Sequence, residues 1–320
     1  MNKLTIYRRS CGGILDHSIF AMFLCLSMTS FAQPSARMAH QTPVRFSLNA
    51  YSFNARLMEK TPTDGRQSFS LIDLIDWAAG QNLEAVDITG YYFQGYPVPP
   101  SDSVIQVVRS QAAARGLAIS GTGIRNHFAS ADPMVRLEGI KLAKQWIDVA
   151  AKLGAPVIRL FAGAMPAGYE NRWDEVMNWM VPCFRECADY ASTKGVKIGI
   201  QNHADALSTA DQTLRLLKAI NHPWVGLIVD TGSFTTSDPY KEIEMTAPYA
   251  INWQVKERLH GEGPDRKTDM LRVMKIIKAS GYRGFVPVET LPEKGKAYDP
   301  FSRVPALLSE MQSARAVVFK

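Results

Sequence analysis

Cysteine is scarce in this chain, with four residues in 320. Cys11 and Cys25 fall within the first 32 residues, which leaves Cys183 and Cys187, spaced i, i+4 along an expected helix. Two thiols placed that way lack the partners for a disulfide framework or a thiolate metal site, and read as buried apolar residues. Long apolar runs are missing too: residues 19–28 are apolar but too short to span a bilayer, and no stop-transfer flank follows. No basic block is interleaved with aromatics, so nucleic acid is excluded as a partner. No Gly-rich phosphate turn follows the first expected strand, which argues against a dinucleotide-binding open sheet. There is no internal repeat and no interdomain linker, so the composition, 46% hydrophobic and 21% charged, describes one globular domain.

What is present begins with a leader. Lys3, Arg8 and Arg9 form a basic start, residues 19–28 an apolar core, and Ser30-Phe31-Ala32 place small residues where a signal peptidase cuts. The expectation is a signal peptide over 1–32, a polar leader over 33–43 and a folded chain over 44–320. The protein is then exported, periplasmic or secreted, with no membrane contact after cleavage. Losing three basic residues and one acidic residue lowers the net charge of +6 by two. The remaining positive balance modestly favours anionic ligands.

From residue 44 onward, short apolar runs alternate with helical stretches. Strands are expected at 44–50, 84–88, 117–122, 156–161, 196–201, 224–230, 250–256 and 284–289. Helices are expected at 68–81, 101–116, 132–154, 172–194, 209–220, 239–246, 268–280 and 299–313. Several carry punctuation in the sequence: Ser101 and Asp132-Pro133 as starts, Gly154, Gly195 and Gly281 as stops. Eight strands and eight helices in alternation predict an α/β protein of the (β/α)8 TIM-barrel type, a fold of about 250 residues. In such a barrel the C-terminal strand ends build the site. Those ends supply Asn49, Tyr51, Asp87, Thr122, Asn126, His127, Arg159, Gln201, Asn202, His203, Asp230, Asn252, Gln254, Lys256 and Glu289. A polar ring of this kind, walled by Tyr91, Tyr92, Phe93, Phe161 and Trp253, suits a hydroxylated small molecule.

The stretches GLAISGTGIRNHF, LGAPVIRLFAG, GVKIGIQNHAD, VGLIVDTGSF, NWQVKE and GFVPVETL, one per successive strand, resemble the sugar phosphate isomerase/epimerase family of xylose-isomerase-like barrels. The resemblance covers essentially all of the chain from residue 44. It implies a divalent metal held by Glu, Asp, His and Glu at the ends of strands five to eight. The matching positions are Gln201, Asp230, Gln254 and Glu289, so amides replace one Glu and the His. Ser233 replaces a histidine that often follows the strand-six Asp. Two carboxylates and two amides make a hard-oxygen set, closer to Mg or Ca than to Mn or Zn. The alternative is a metal-free pocket in which Gln201 and Gln254 bond sugar hydroxyls.

The resemblance also implies proton removal next to a carbonyl by two carboxylates. With Gln201 unable to take a proton, Glu289 is the one carboxylate base, and His203 or Lys256 the second catalytic group. Lys256 can also carry charge at a developing oxyanion or pair with Asp230. Asn49, Asn202, Asn252 and Arg159 are expected to contact substrate. The activity expected is sugar or keto-sugar isomerisation or epimerisation, with a keto-sugar lyase and a non-catalytic carbohydrate-binding barrel as alternatives. The short sixth helix and the loop 292–298 either cover the site or meet a second subunit of a homo-oligomer.

Overall fold

Eight short, β-rich segments each followed by a capped helix leave one economical arrangement: a parallel sheet whose every edge is removed by closure. The computed structural model describes residues 44–59, 67–261 and 266–320. Residues 1–43, with the expected signal peptide and leader, lie outside the described residues. Strands β1 (Arg45–Asn49), β2 (Ala85–Thr89), β3 (Ala118–Gly123), β4 (Val157–Leu160), β5 (Lys197–Gln201), β6 (Val225–Asp230), β7 (Ala250–Lys256) and β8 (Phe285–Glu289) pair in sequence order. All pairs are parallel, and β8 closes on β1. No described helix is long and apolar enough to cross a membrane.

Most of the helices start where the sequence offers a side-chain cap; those at Asn54–Met58 and Trp173–Ser192 do not. Helix α1 (Asn54–Met58) has no side-chain cap; it follows a 3-10 turn, Ala50–Phe53, that Asn49 caps by accepting from Tyr51 N–H through Oδ1 at 2.9 Å. It was not expected, because five residues carry no periodic apolar stripe. Helix α2 (Leu71–Ala79) opens on a reciprocal Ser70–Asp73 capping box. Helices α3 (Asp102–Ala114) and α4 (Pro133–Leu153) use Ser101 and Asp132 as N-caps, and Gly154 ends α4 in the left-handed region. Helix α5 (Trp173–Ser192) carries Cys183 and Cys187, free and buried. Helix α6 (Ala210–Ile220) opens on a Thr209–Gln212 box; α7 (Pro239–Thr246) and α8 (Met270–Ala279) follow. Helix α9 (Pro300–Val318) runs five residues past its expected end, since neither Gly nor Pro follows Ser313 to stop it.

Register decides which side chains enter the barrel. Asn49 pairs with Asp87, Asp230 with Gln254 and Lys256 with Glu289, all near the C-terminal rim. Alternation along β7 then sends Asn252, Gln254 and Lys256 to one face and Trp253 and Val255 to the other. Trp253 is fully buried beside Tyr282, in edge contact at 6.2 Å, so it belongs to the strand–helix layer and not to the site wall. Phe93 is likewise no wall; it packs on the buried indole of Trp146.

The β8–α9 connection is tied to the end of β1. Tyr298 hydroxyl donates to Ser52 C=O at 2.6 Å and meets Thr290 Oγ1 at 2.7 Å, while Thr290 N–H donates to Ser52 Oγ. Replacing Tyr298 by Phe removes the hydroxyl's bonds to Ser52 and Thr290 with the ring kept. Chemical denaturation is expected to show a loss of about 1–2 kcal/mol with an unchanged m-value.

Candidate active site at the C-terminal rim of the barrel

Asp230, at the end of β6, is fully buried and is the most heavily bonded side chain of the rim. Its Oδ2 accepts from Gln201 Nε2 at 2.7 Å, Lys256 Nζ at 2.8 Å and Ser233 Oγ at 2.8 Å. Its Oδ1 accepts from Gly232 N–H at 2.9 Å. Asn202 clasps the same residue from behind, donating to Asp230 C=O and accepting from Asp230 N–H, both at 2.9 Å. That employs both ends of the Asn202 amide on backbone, so its work is to lock β5 to β6. Asn252, one register step below Gln254, is similarly spent: Oδ1 accepts from Trp253 N–H and Nδ2 reaches Ser120 C=O at 3.4 Å.

Lys256 is held along its length. Its N–H donates to Thr231 Oγ1 at 2.9 Å, and its ammonium reaches Ser233 Oγ at 3.3 Å besides Asp230. Gly232 clears its path, since a Cβ there would lie 2.5 Å from Lys256 Cδ and 2.7 Å from Arg258 C=O. Burial alone would lower the lysine pKa, but the Asp230 and Glu289 carboxylates outweigh it and hold the pKa above its usual value.

Glu289 ends β8 beside Lys256 and is 2% exposed. Its Oε2 is buried without a hydrogen-bond partner. Burial, with Asp230 and Asp87 nearby, pushes its carboxyl up to about 7 against the pull of Lys256 and Arg159. Lys256 and Glu289 form the floor of a cavity of about 670 Å³, whose outer wall includes Arg258, Leu291 and Lys294. The loop 292–298 contributes to this cavity wall.

Across the barrel, Arg159 from β4 lies under the rim. Its guanidinium donates to Tyr91 Oη at 3.0 Å and rests 4.3 Å from the Phe161 ring centre. Gly123 makes this approach feasible, because a Cβ there would stand 2.9 Å from the guanidinium. Among the described residues no carboxylate lies within ion-pair distance of Arg159, and its buried Nε has no partner. Asp87 influences it through space, and burial pushes Asp87 up to about 6. His203 lies against Phe161, ring centres 4.5 Å apart. Burial of its inner side, with Lys256 and Arg159 nearby, lowers the imidazole pKa despite Asp230, a shift tempered by the ring's solvent-exposed side. It does not cap α6, a task that falls to Thr209.

The structure thus gathers Glu289, Lys256, Asp230, Gln201, Gln254, Asn49, Arg159 and His203 at one rim, while Asn202 and Asn252 serve backbone. Asn126 and His127 also turn to structural work: Asn126 clasps Phe161 through both ends of its amide, and His127 bonds Ala164 C=O. The sequence placed Tyr91 only as an aromatic wall, whereas it follows β2 and orients Arg159, and gave no role to Thr231. A strand end followed by Gly-Tyr-Tyr was the available signal for Tyr91.

A divalent ion of the kind the resemblance implies does not fit these residues as they stand. Asp230 already receives four donors, and Gln201 turns its nitrogen toward that carboxylate, the orientation the charge demands. Among the described residues no three His, Cys, Asp or Glu side chains converge as a ligand group.

Residues 75–310 match the family described as xylose isomerase-like TIM barrel. No curated protein matches the chain. Solved structures of the same fold include L-ribulose 3-epimerase, with a TM-score of 0.66 at 16% identity over 85% of this chain and 96% of that one. D-psicose 3-epimerase from Clostridium cellulolyticum H10 aligns with a TM-score of 0.63 at 17% identity, over 86% and 98%. The 3-keto-D-glucoside 4-epimerase of E. coli aligns with a TM-score of 0.64 at 12% identity, over 85% and 99%. The closed eight-stranded barrel and the family match together establish that this chain belongs to the xylose isomerase-like TIM barrels.

Proposed function

We propose that this protein is an exported sugar or keto-sugar isomerase or epimerase that moves a proton at a carbon next to a carbonyl. The observation that carries the reading is Glu289: a buried carboxyl with a free oxygen, lining a cavity of about 670 Å³ that has room for a sugar, and raised to about 7. A base poised near the working pH combines availability with driving force. The names of the structural neighbours, sugar epimerases, support the same class. Export, read from the leader, argues for an unphosphorylated substrate.

In this reading Glu289 removes the proton, and negative charge develops on the adjacent oxygen. Lys256 has three N–H groups, two of them committed to Asp230 and Ser233, and the third is available to that oxygen. Gln254, Asn49 and Arg159 orient hydroxyls around it, while Gln201 Oε1, buried without a donor, accepts one. The His203 imidazole, its pKa lowered by burial and so neutral near pH 7, relays the second proton, giving up its N–H while its other nitrogen takes a proton from solvent. A second reading, keto-sugar β-elimination, is favoured by the same geometry, since one unpaired carboxyl and one fixed ammonium meet its need for one base and one acid.

Exchange of carbon-bound hydrogen for solvent deuterium, followed by NMR in D2O, tests the proposal with L-ribulose, D-tagatose, D-fructose and a 3-keto-glucoside. Wild-type protein is expected to exchange at least one of them, and Glu289→Gln to lose about 10²–10⁴-fold. No exchange with any, or exchange that survives in the variant, removes the proposed base. The wild-type rate is expected to rise with an apparent pKa near 7.

Stability should show the same group. A carboxyl at about 7 in the fold against an ordinary 4.5 keeps its proton more tightly when folded. Its contribution is therefore complete below pH 4.5 and is lost as pH rises through 7. Glu289→Gln, which never ionises, is expected to melt several degrees above wild type at pH 9 and with wild type at pH 5.

A further inference from the structure

We infer that the Lys256 ammonium is the resident cation of this site and excludes a divalent metal from Asp230. The inference rests on the proton-transfer reading for its chemistry, but its geometry stands independently. Asp230 carries the one carboxylate that the family pattern and this site share on β6, and its Oδ2, the oxygen turned to Lys256, is saturated by Lys256, Gln201 and Ser233, while Oδ1 accepts from Gly232 N–H. A divalent ion needs oxygens at about 2.0–2.6 Å. Taking Oδ2 would place it against an ammonium bonded to that same atom.

Three departures from the family pattern agree with an internal ammonium. At Gln201 a glutamate would set a third carboxylate around one lysine; the amide removes that charge and gives Asp230 a donor. At Ser233 the usual imidazole is replaced by a hydroxyl that bridges Asp230 and Lys256. At Gln254 the nitrogen ligand is gone and an amide faces the site. The lysine is also kept from swinging away, by its backbone bond to Thr231 and the slot left by Gly232. The site therefore offers a substrate oxygen one N–H of a fixed ammonium, a weaker electrophile than a metal ion but one that needs no loading.

The test uses the full protein after chelation and dialysis. Calorimetric titration with Mn²⁺, Mg²⁺ and Ca²⁺ is expected to show no one-to-one uptake, and melting to be the same in EDTA and in each metal. One-to-one uptake that Asp230→Asn abolishes overturns the inference. The double variant Gln201→Glu/Lys256→Met restores a carboxylate and vacates the ammonium's place, and its Mn²⁺ affinity is expected to rise at least tenfold. A folded double variant with no gain also overturns the inference; if it does not fold, the wild-type titration decides. Deuterium exchange separates this from the function itself. Exchange unchanged by EDTA supports the inference, exchange that requires added metal refutes it, and no exchange at all sinks the proton-transfer reading while leaving the metal titration to decide on Lys256.

Discussion

The rim of the barrel depends on one buried ion pair, Lys256 with Asp230. A carboxylate with no solvent exposure is costly unless charge and hydrogen bonds compensate it. Here the compensation comes from two strands and the loop after a third: Gln201 from β5, Gly232 and Ser233 after β6, Lys256 from β7. Each partner is held by something else in turn. Thr231 fixes the Lys256 backbone, and Asn202 fixes the Asp230 backbone. Removing one member would leave the others as unpaired polar groups in a low-dielectric interior, which is why the cluster acts as a unit.

The contrast between the two rim carboxylates follows from that pair. Asp230 has donors on both carboxylate oxygens, three on Oδ2 and one on Oδ1, whereas Glu289, nearby on β8, has an oxygen with none. Lys256 stands between their strands and, of the two carboxylates, is hydrogen-bonded to Asp230 alone. Glu289 feels the ammonium only through space, too weakly to cancel its desolvation. Two acids in one small volume thus acquire different characters from their partners, one a fixed charge and the other, in the proposed reaction, the base.

Much of this was legible in the sequence, for a physical reason. Parallel strands buried on both faces must be nearly continuous apolar runs, so a polar residue at the end of such a run, as in VGLIVD or GFVPVE, has little to do except enter the site. That logic located Asp230, Glu289, Gln201, Gln254 and Lys256. It failed where side-chain direction mattered. Asn202 and Trp253 each stand one step from a site residue, and alternation turns them away, one to brace backbone and the other to the helix layer. It also failed where a group is positioned by a distant segment: nothing local to Arg159 announces that Tyr91 and the missing side chain of Gly123 will aim it.

Arg159 shows why the two cations of the rim are not equivalent. Lys256 is neutralised by a contact carboxylate, so its field reaches the cavity through one remaining N–H. Arg159 has aromatic neighbours and a phenol instead, and its balancing charges, Asp87 and Glu289, act only at a distance. A guanidinium left this way keeps its donors for whatever enters, and it draws Glu289 downward just as Lys256 does. The carboxyl therefore rests near 7 because burial outweighs two attractions from opposite sides of the barrel. A bound oxygen that engaged either cation would weaken its pull on Glu289 and raise the affinity of that carboxylate for a proton. In the proposed reaction, substrate binding and base strength are coupled through these two charges.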